Sequence, residues 1–117
     1  MDEQRKRELK EEYRNSRPPM GVLSFRCEPT GESFLLASRN IPGDTNGVTF
    51  KLNSGYHPNK HLLELWERYG EGGFSVEVLE SLGYREGMDD PAGYKDELEQ
   101  LRDLCLERDE NATLLWR

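Results

Sequence analysis

Two histidines four residues apart, His57 and His61 in "GYHPNKHLL", are the first pair that could ligate a metal or pass a proton. Pro58 lies between them where a helix should begin, so the two rings need not share a helical face. No carboxylate stands at ligand spacing to either, and capping or surface histidines are the simpler account. Cys27 and Cys105 are far apart and lack metal-ligand spacing, which fits reduced thiols in the core of a cytoplasmic protein. Four cations of the N-terminal half, Arg26, Arg39, Lys51 and Lys60, are of the type that contacts phosphates. A scattered solvated surface would use the same residues. Trp66 and Tyr69 could stack on bases, but they fall on an apolar stripe and read as core.

The charge distribution narrows the choice of partner. The chain of 117 residues carries 16 Lys+Arg against 23 Asp+Glu, a net charge of −7. Residues 1–60 hold 10 basic and 8 acidic side chains, whereas residues 61–117 hold 6 and 15. Phosphate neutralisation dominates nucleic-acid affinity, so any such footprint belongs to the N-terminal half and the acidic half would repel DNA. Nothing approaches the run of about 20 apolar residues that spans a bilayer. The start, "MDEQRKRELK", has no apolar middle like that of a secretion signal.

The elements that must position these residues follow from pattern. Residues 2–15 are rich in helix formers, with Leu9 and Tyr13 one turn apart, and "SRPPM" stops them; this predicts a charged helix or arm over residues 1–18, ahead of one domain over 19–117. Within it, Arg5, Lys6 and Arg7 read as a solvated face. Two short apolar runs, 21–27 and 32–38, are joined by "EPTG", which predicts a hairpin with a bulge. A short helix is expected near 45–53. Residues 59–69 place Leu62, Leu65, Trp66 and Tyr69 on one helical stripe that Gly70 ends. "FSVEVLE" alternates, with Phe74, Val76 and Val78 inward and Ser75 and Glu77 outward. Residues 94–107 form a last helix with Leu98, Leu101 and Cys105 on a stripe, and the apolar tail "NATLLW" packs back. The order predicts an α/β (α+β) domain with a small three-stranded sheet flanked by helices.

Met-Gly-Val opening a strand, a glycine-centred turn, a second strand and then "LNSGYHPNKHLLELWERYGEGGFSVEVLE" resemble the GIY-YIG nuclease family, in particular its small stand-alone bacterial members. The resemblance extends over roughly residues 5 to 108. Its most specific part is the "HPNK" helix with Trp66, Tyr69, Gly70 and Phe74. Gly21-Val22-Leu23 stands for the first name-giving motif and Phe34-Leu35-Leu36 for the second. The resemblance implies a three-stranded antiparallel sheet flanked by helices. It also implies hydrolysis of a phosphodiester bond with one divalent metal ion. One tyrosine would assist the attacking water, a second tyrosine and an arginine would hold the phosphate, and a glutamate on a late helix would hold the metal.

Transferred position by position, the first tyrosine falls on Leu23, the second on Phe34, the glycine of the second motif on Leu36, the arginine on Gly47 and the glutamate on Arg102. None of these side chains can do the family's chemistry, and the bulky hairpin residues Leu23, Phe25, Phe34 and Leu36 are expected to fill the former cleft. The resemblance then implies a degenerate domain with no cofactor that binds DNA through Arg26, Arg39, Lys51 and Lys60, or a protein through that apolar hairpin face. The alternative is an active endonuclease that holds Mg²⁺ on Glu99 or Asp103 and moves protons with Tyr56 or His57. A third is an interaction or inhibitor domain that uses its acidic half against a basic partner.

Overall fold

The computed structural model describes residues 17–116, so the expected N-terminal helix lies outside the described residues. Strand β1 (Met20–Cys27) buries every residue except Arg26, because it is apolar on both faces and both faces are covered. Gly31 takes a φ of +77° to close the turn, where its N–H donates to the Cys27 carbonyl at 2.8 Å. Strand β2 (Ser33–Ser38) returns antiparallel to β1. Their register, from Gly21 opposite Ser38 to Arg26 opposite Ser33, runs without a bulge, contrary to expectation. The register shift falls instead between β1 and β3 (Phe74–Leu82), at Val22/Leu23.

Helix α1 (Ile41–Ser54) is longer than its weak helix formers suggest. Its start is over-determined: the Asn40 side chain accepts the Gly43 N–H at 3.1 Å, and Pro42 opens the first turn. The buried Ser38 hydroxyl also donates to Asp44 at 2.6 Å. Helix α2 (Lys60–Tyr69) follows, capped by Asn59 and ended by Gly70 at φ +73°. A 3₁₀ turn over Glu71–Gly73 leads into β3, and Pro91–Tyr94 form another before helix α3 (Lys95–Arg108). Buried Tyr94 ties that connection together, donating to the Met88 carbonyl at 2.6 Å and accepting the Arg85 N–H at 2.7 Å. Residues 17–19 are anchored too: Arg17 pairs with Asp89, and the Pro18 carbonyl accepts from Tyr84.

The tail does pack back, and it does so as a fourth strand. β4 (Ala112–Leu114) lies parallel to β2, so the sheet order is β3-β1-β2-β4 rather than three antiparallel strands. Leu115, which follows it, is fully buried and donates its N–H to the Leu35 carbonyl at 2.9 Å.

Two layers cover the sheet. Leu23, Phe25, Phe34 and Leu36 face α1 and α2, where they pack with Val48, Leu52, Leu62, Leu65, Trp66 and Leu115. Val22 and Leu35 meet Cys105, and Met20 meets Leu98 and Tyr94, so the alternate side chains face α3. Each fully buried Leu or Phe contributes about 1.5–3 kcal/mol. The hairpin face is therefore core, and it offers no surface to a protein partner, contrary to the sequence expectation. Strand β3 also departs from expectation. Val76 and Val78 are 43% and 45% exposed, because the buried side chains of α1 and α2 lie over β1 and β2 and leave this edge uncovered among the described residues.

Candidate functional site

A cleft of about 620 Å³ opens between α3, the end of β2 and the start of α1. Its apolar floor includes Leu35, Ala37, Leu98 and Leu114, and its charged walls carry Arg39, Asp44, Asp90, Lys95, Glu99 and Arg102. Two of the acids are engaged locally: Asp44 accepts from Ser38, and Asp90 accepts the Ala92 N–H at 3.0 Å. Arg102 is partly exposed and reaches Asp103 at 3.1 Å. Arg39 and Lys95 make no ion pair among the described residues. The walls therefore carry three cations, Arg39, Lys95 and Arg102, beside three carboxylates, because a hydrogen bond from a hydroxyl or an amide leaves Asp44 and Asp90 charged.

The sheet separates residues that the sequence reading placed together. Leu23 and Phe34 point towards α1 and α2, whereas Arg102 stands on the α3 side. Leu36 belongs to the same α1/α2 core and is buried, and it also borders the cleft. Side chains alternate along a strand, and a reading displaced by one residue exchanges the two faces. The β2 residues that share a face with Arg102 are Leu35 and Ala37. Gly47 is exposed on α1 with open space around it, while Asp44, nearly one turn earlier, reaches the cleft.

The remaining candidates scatter. Arg39 lines the cleft, and Lys51 lies at its margin with Nζ 4.9 Å from the ring centroid of cleft-lining Trp116. Arg26 sits at the turn end of β1, 3.7 Å from Glu28, and Lys60 is exposed at the start of α2; neither lines the cleft. Glu99 lines it, but Asp103 is exposed outside it. Tyr56 is exposed and packs edge-on against Phe50. His61 is exposed and meets Glu32 at 3.0 Å. Sequence reasoning missed Lys95 and Trp116 and took Arg102 only as a lost ligand.

His57 proves to be a buried capping residue rather than a surface one. It is 3% exposed, its Nδ1 accepts the Asn59 N–H at 3.0 Å, and its ring stacks on Trp116 at 4.8 Å and 13°. Nδ1 is an acceptor, so the proton of the neutral ring lies on Nε2, which has no partner among the described residues. Burial first, and the Lys51 charge second, hold its pKa below the ordinary 6.5. The unfolded chain therefore takes up this proton first. The stability from neutral His57 is complete above about pH 6.5 and drains as pH falls through that value toward the depressed one, by at most ~1.4 kcal/mol per pH unit. Thermal melts between about pH 7 and about pH 5 should show this loss, and His57→Phe should flatten it while keeping a ring against Trp116. Equal slopes in the two proteins would refute the assignment. Cys105, on the sheet-facing side of α3, has its thiol pushed up by burial and by Glu80, which keeps it protonated and inert.

Among the described residues no three His, Cys, Asp or Glu side chains are grouped as ligands. In the cleft, Lys95 and Arg102 stand four residues before and three after Glu99 on α3, which brings two cations beside the one unengaged carboxylate. At ~4 Å a unit charge repels a like charge by about 1 kcal/mol in water and by about 4 at a surface-like dielectric.

Against solved structures, the chain is similar to the catalytic domain of the homing endonuclease I-TevI, with a TM-score of 0.63 at 12% identity over 80% of this chain and 94% of that one. A point-mutant form of the same domain gives 0.64 at 13%, over 82% and 98%. No family model matches the sequence, and no curated protein matches it. That domain is a GIY-YIG nuclease, and at this identity the likeness is one of architecture: the chain has the GIY-YIG nuclease fold.

Proposed function

We propose that this chain is a nucleic-acid-binding module built on the GIY-YIG fold, and that it does not cut phosphodiester bonds through a metal on α3. The observation that supports this most is the position of Arg102 in the cleft beside Glu99, with Lys95 and Arg39 on the same walls. Guanidinium and ammonium groups suit phosphate oxygens and oppose a cation, so the arrangement favours binding over metal-assisted hydrolysis. I-TevI is named as a homing endonuclease, and its fold is shared here over most of the chain. The apolar floor at Leu35 and Ala37 provides no group to move a proton to or from an attacking water.

Two measurements test this. Plasmid and branched DNA incubated with the protein in Mg²⁺ or Mn²⁺ should remain intact. Binding, followed by gel shift, should weaken about three- to tenfold in Arg39→Ala and in Arg102→Ala, and each variant should reduce the slope of log affinity against log salt by about 1. Cleavage that disappears in Glu99→Ala would overturn the proposal in favour of an active endonuclease. Retention by a basic protein partner with no retention on DNA at low salt would favour the acidic interaction domain.

A further inference from the structure

We propose that the cleft takes an unpaired nucleotide, with its base against Trp116 and its phosphates among Arg39, Lys95 and Arg102, so that single-stranded nucleic acid is the preferred ligand. This rests on the nucleic-acid-binding reading above and names the form of ligand. Trp116 is 41% exposed, yet its ring is not loose. His57 stacks on it almost parallel, and His57 is itself buried and fixed by the Asn59 N–H. The Lys51 ammonium lies 4.9 Å from the ring centroid. Buried His57 orients the indole, and the part of the ring that His57 and Lys51 leave exposed borders the cleft, so a base that stacks there loses little ordering entropy.

The surroundings fit the rest of a nucleotide. Leu114 and Leu35 continue the apolar surface from the indole into the cleft, and Glu99 supplies an acceptor for sugar hydroxyl or base amino protons. Arg39, Lys95 and Arg102 offer donors to phosphate oxygens, while Asp44, Asp90 and Glu99 balance their charge, so the phosphates are held by direct hydrogen bonds rather than by a net positive field. A volume of about 620 Å³ lies within the range of small-molecule pockets, so it admits a nucleotide and not a double helix. In a duplex the base faces are already stacked on one another and unavailable to an indole. A single strand can turn a base into the cleft without unpairing it, and base–aromatic stacking tolerates any base.

The test compares a short single-stranded oligodeoxynucleotide with its own duplex, by fluorescence anisotropy at fixed salt. The wild-type protein should bind the single strand more tightly. Trp116→Ala should weaken single-strand binding about tenfold and leave duplex binding within about twofold, and Trp116→Phe should recover most of the loss. Far-ultraviolet circular dichroism of both variants checks that the fold is kept, and the phenylalanine variant carries the test if the alanine variant is unfolded. Equal loss on both ligands, loss on neither, or failure of phenylalanine to recover binding would overturn the stacking site while the binding module stood. A wild-type protein that binds neither ligand would overturn both.

Discussion

Gly21→Ala is expected to destabilise the protein by about 3 kcal/mol or more, enough to unfold much of it at physiological temperature. The reason lies in the backbone. A Cβ placed on Gly21 would stand 2.1 Å from the Glu80 carbonyl oxygen and 3.2 Å from the Ser81 Cα, at the register shift between β1 and β3. Neither atom belongs to a flexible side chain that could swing aside, so relief requires the two strands to separate. β1 is central to the sheet and bears the core on both faces, so that separation would spread to β2 and the helices. Urea denaturation is the direct measurement. As a contrast, Gly47→Ala meets nothing within 4 Å in the middle of α1 and should raise stability by about 0.5–1 kcal/mol. A Gly21→Ala protein as stable as the wild type would mean that the strands do not approach as described.

Asn59→Ala should cost about 3 kcal/mol, from two sources that can be separated. Its side-chain oxygen accepts the Leu62 N–H at 3.1 Å, a helix cap worth about 1 kcal/mol. Its side-chain amide donates to the carbonyls of Leu114 and Leu115 at 3.3 and 3.0 Å, and leaving such buried acceptors unpaired costs about 1–3 kcal/mol. Asn59→Asp keeps the cap oxygen but turns an anion toward those carbonyls, so it should recover little. Denaturant titration gives the total. Hydrogen exchange at the Leu115 amide, which bonds the Leu35 carbonyl, reports release of the tail; unchanged exchange there would show that Asn59 does not hold the tail.

Legibility in the sequence depended on how many residues carried each signal. Helix α2 was plain because Leu62, Leu65 and Trp66 repeat at helical spacing and all three are buried. The hairpin was plain because Gly31 marks its turn. β4 spans three residues, too few for alternation to register, and its partner is distant in sequence. α1 was underestimated because its stability resides in contacts at its first turn, Asn40 with Gly43 and Ser38 with Asp44, rather than in propensity.

The site was harder to read than the fold. Both faces of the β1–β2 hairpin are apolar, so hydrophobicity alone could not say whether Phe34 or Leu35 looks toward α3. Lys95 and Arg102 were hidden by the acidic helix around them, and their meeting with Arg39 depends on the end of β2, which brings Arg39 to the same cleft. The glycine of the first family motif was legible in position but not in purpose. Its purpose here is the close approach of Gly21 to β3.

The parallel fourth strand also orders events during synthesis. Leu115 closes the core formed by Leu23, Phe34, Val48 and Leu62, so this interior stays open on one side until residues 112–115 have left the ribosome. Domains otherwise assemble from the N-terminal end as they emerge, at roughly 5–20 residues per second. Here a nascent chain that stops short of these residues would expose a greasy seam. Chaperone dependence should therefore be greatest before residues 112–115 emerge.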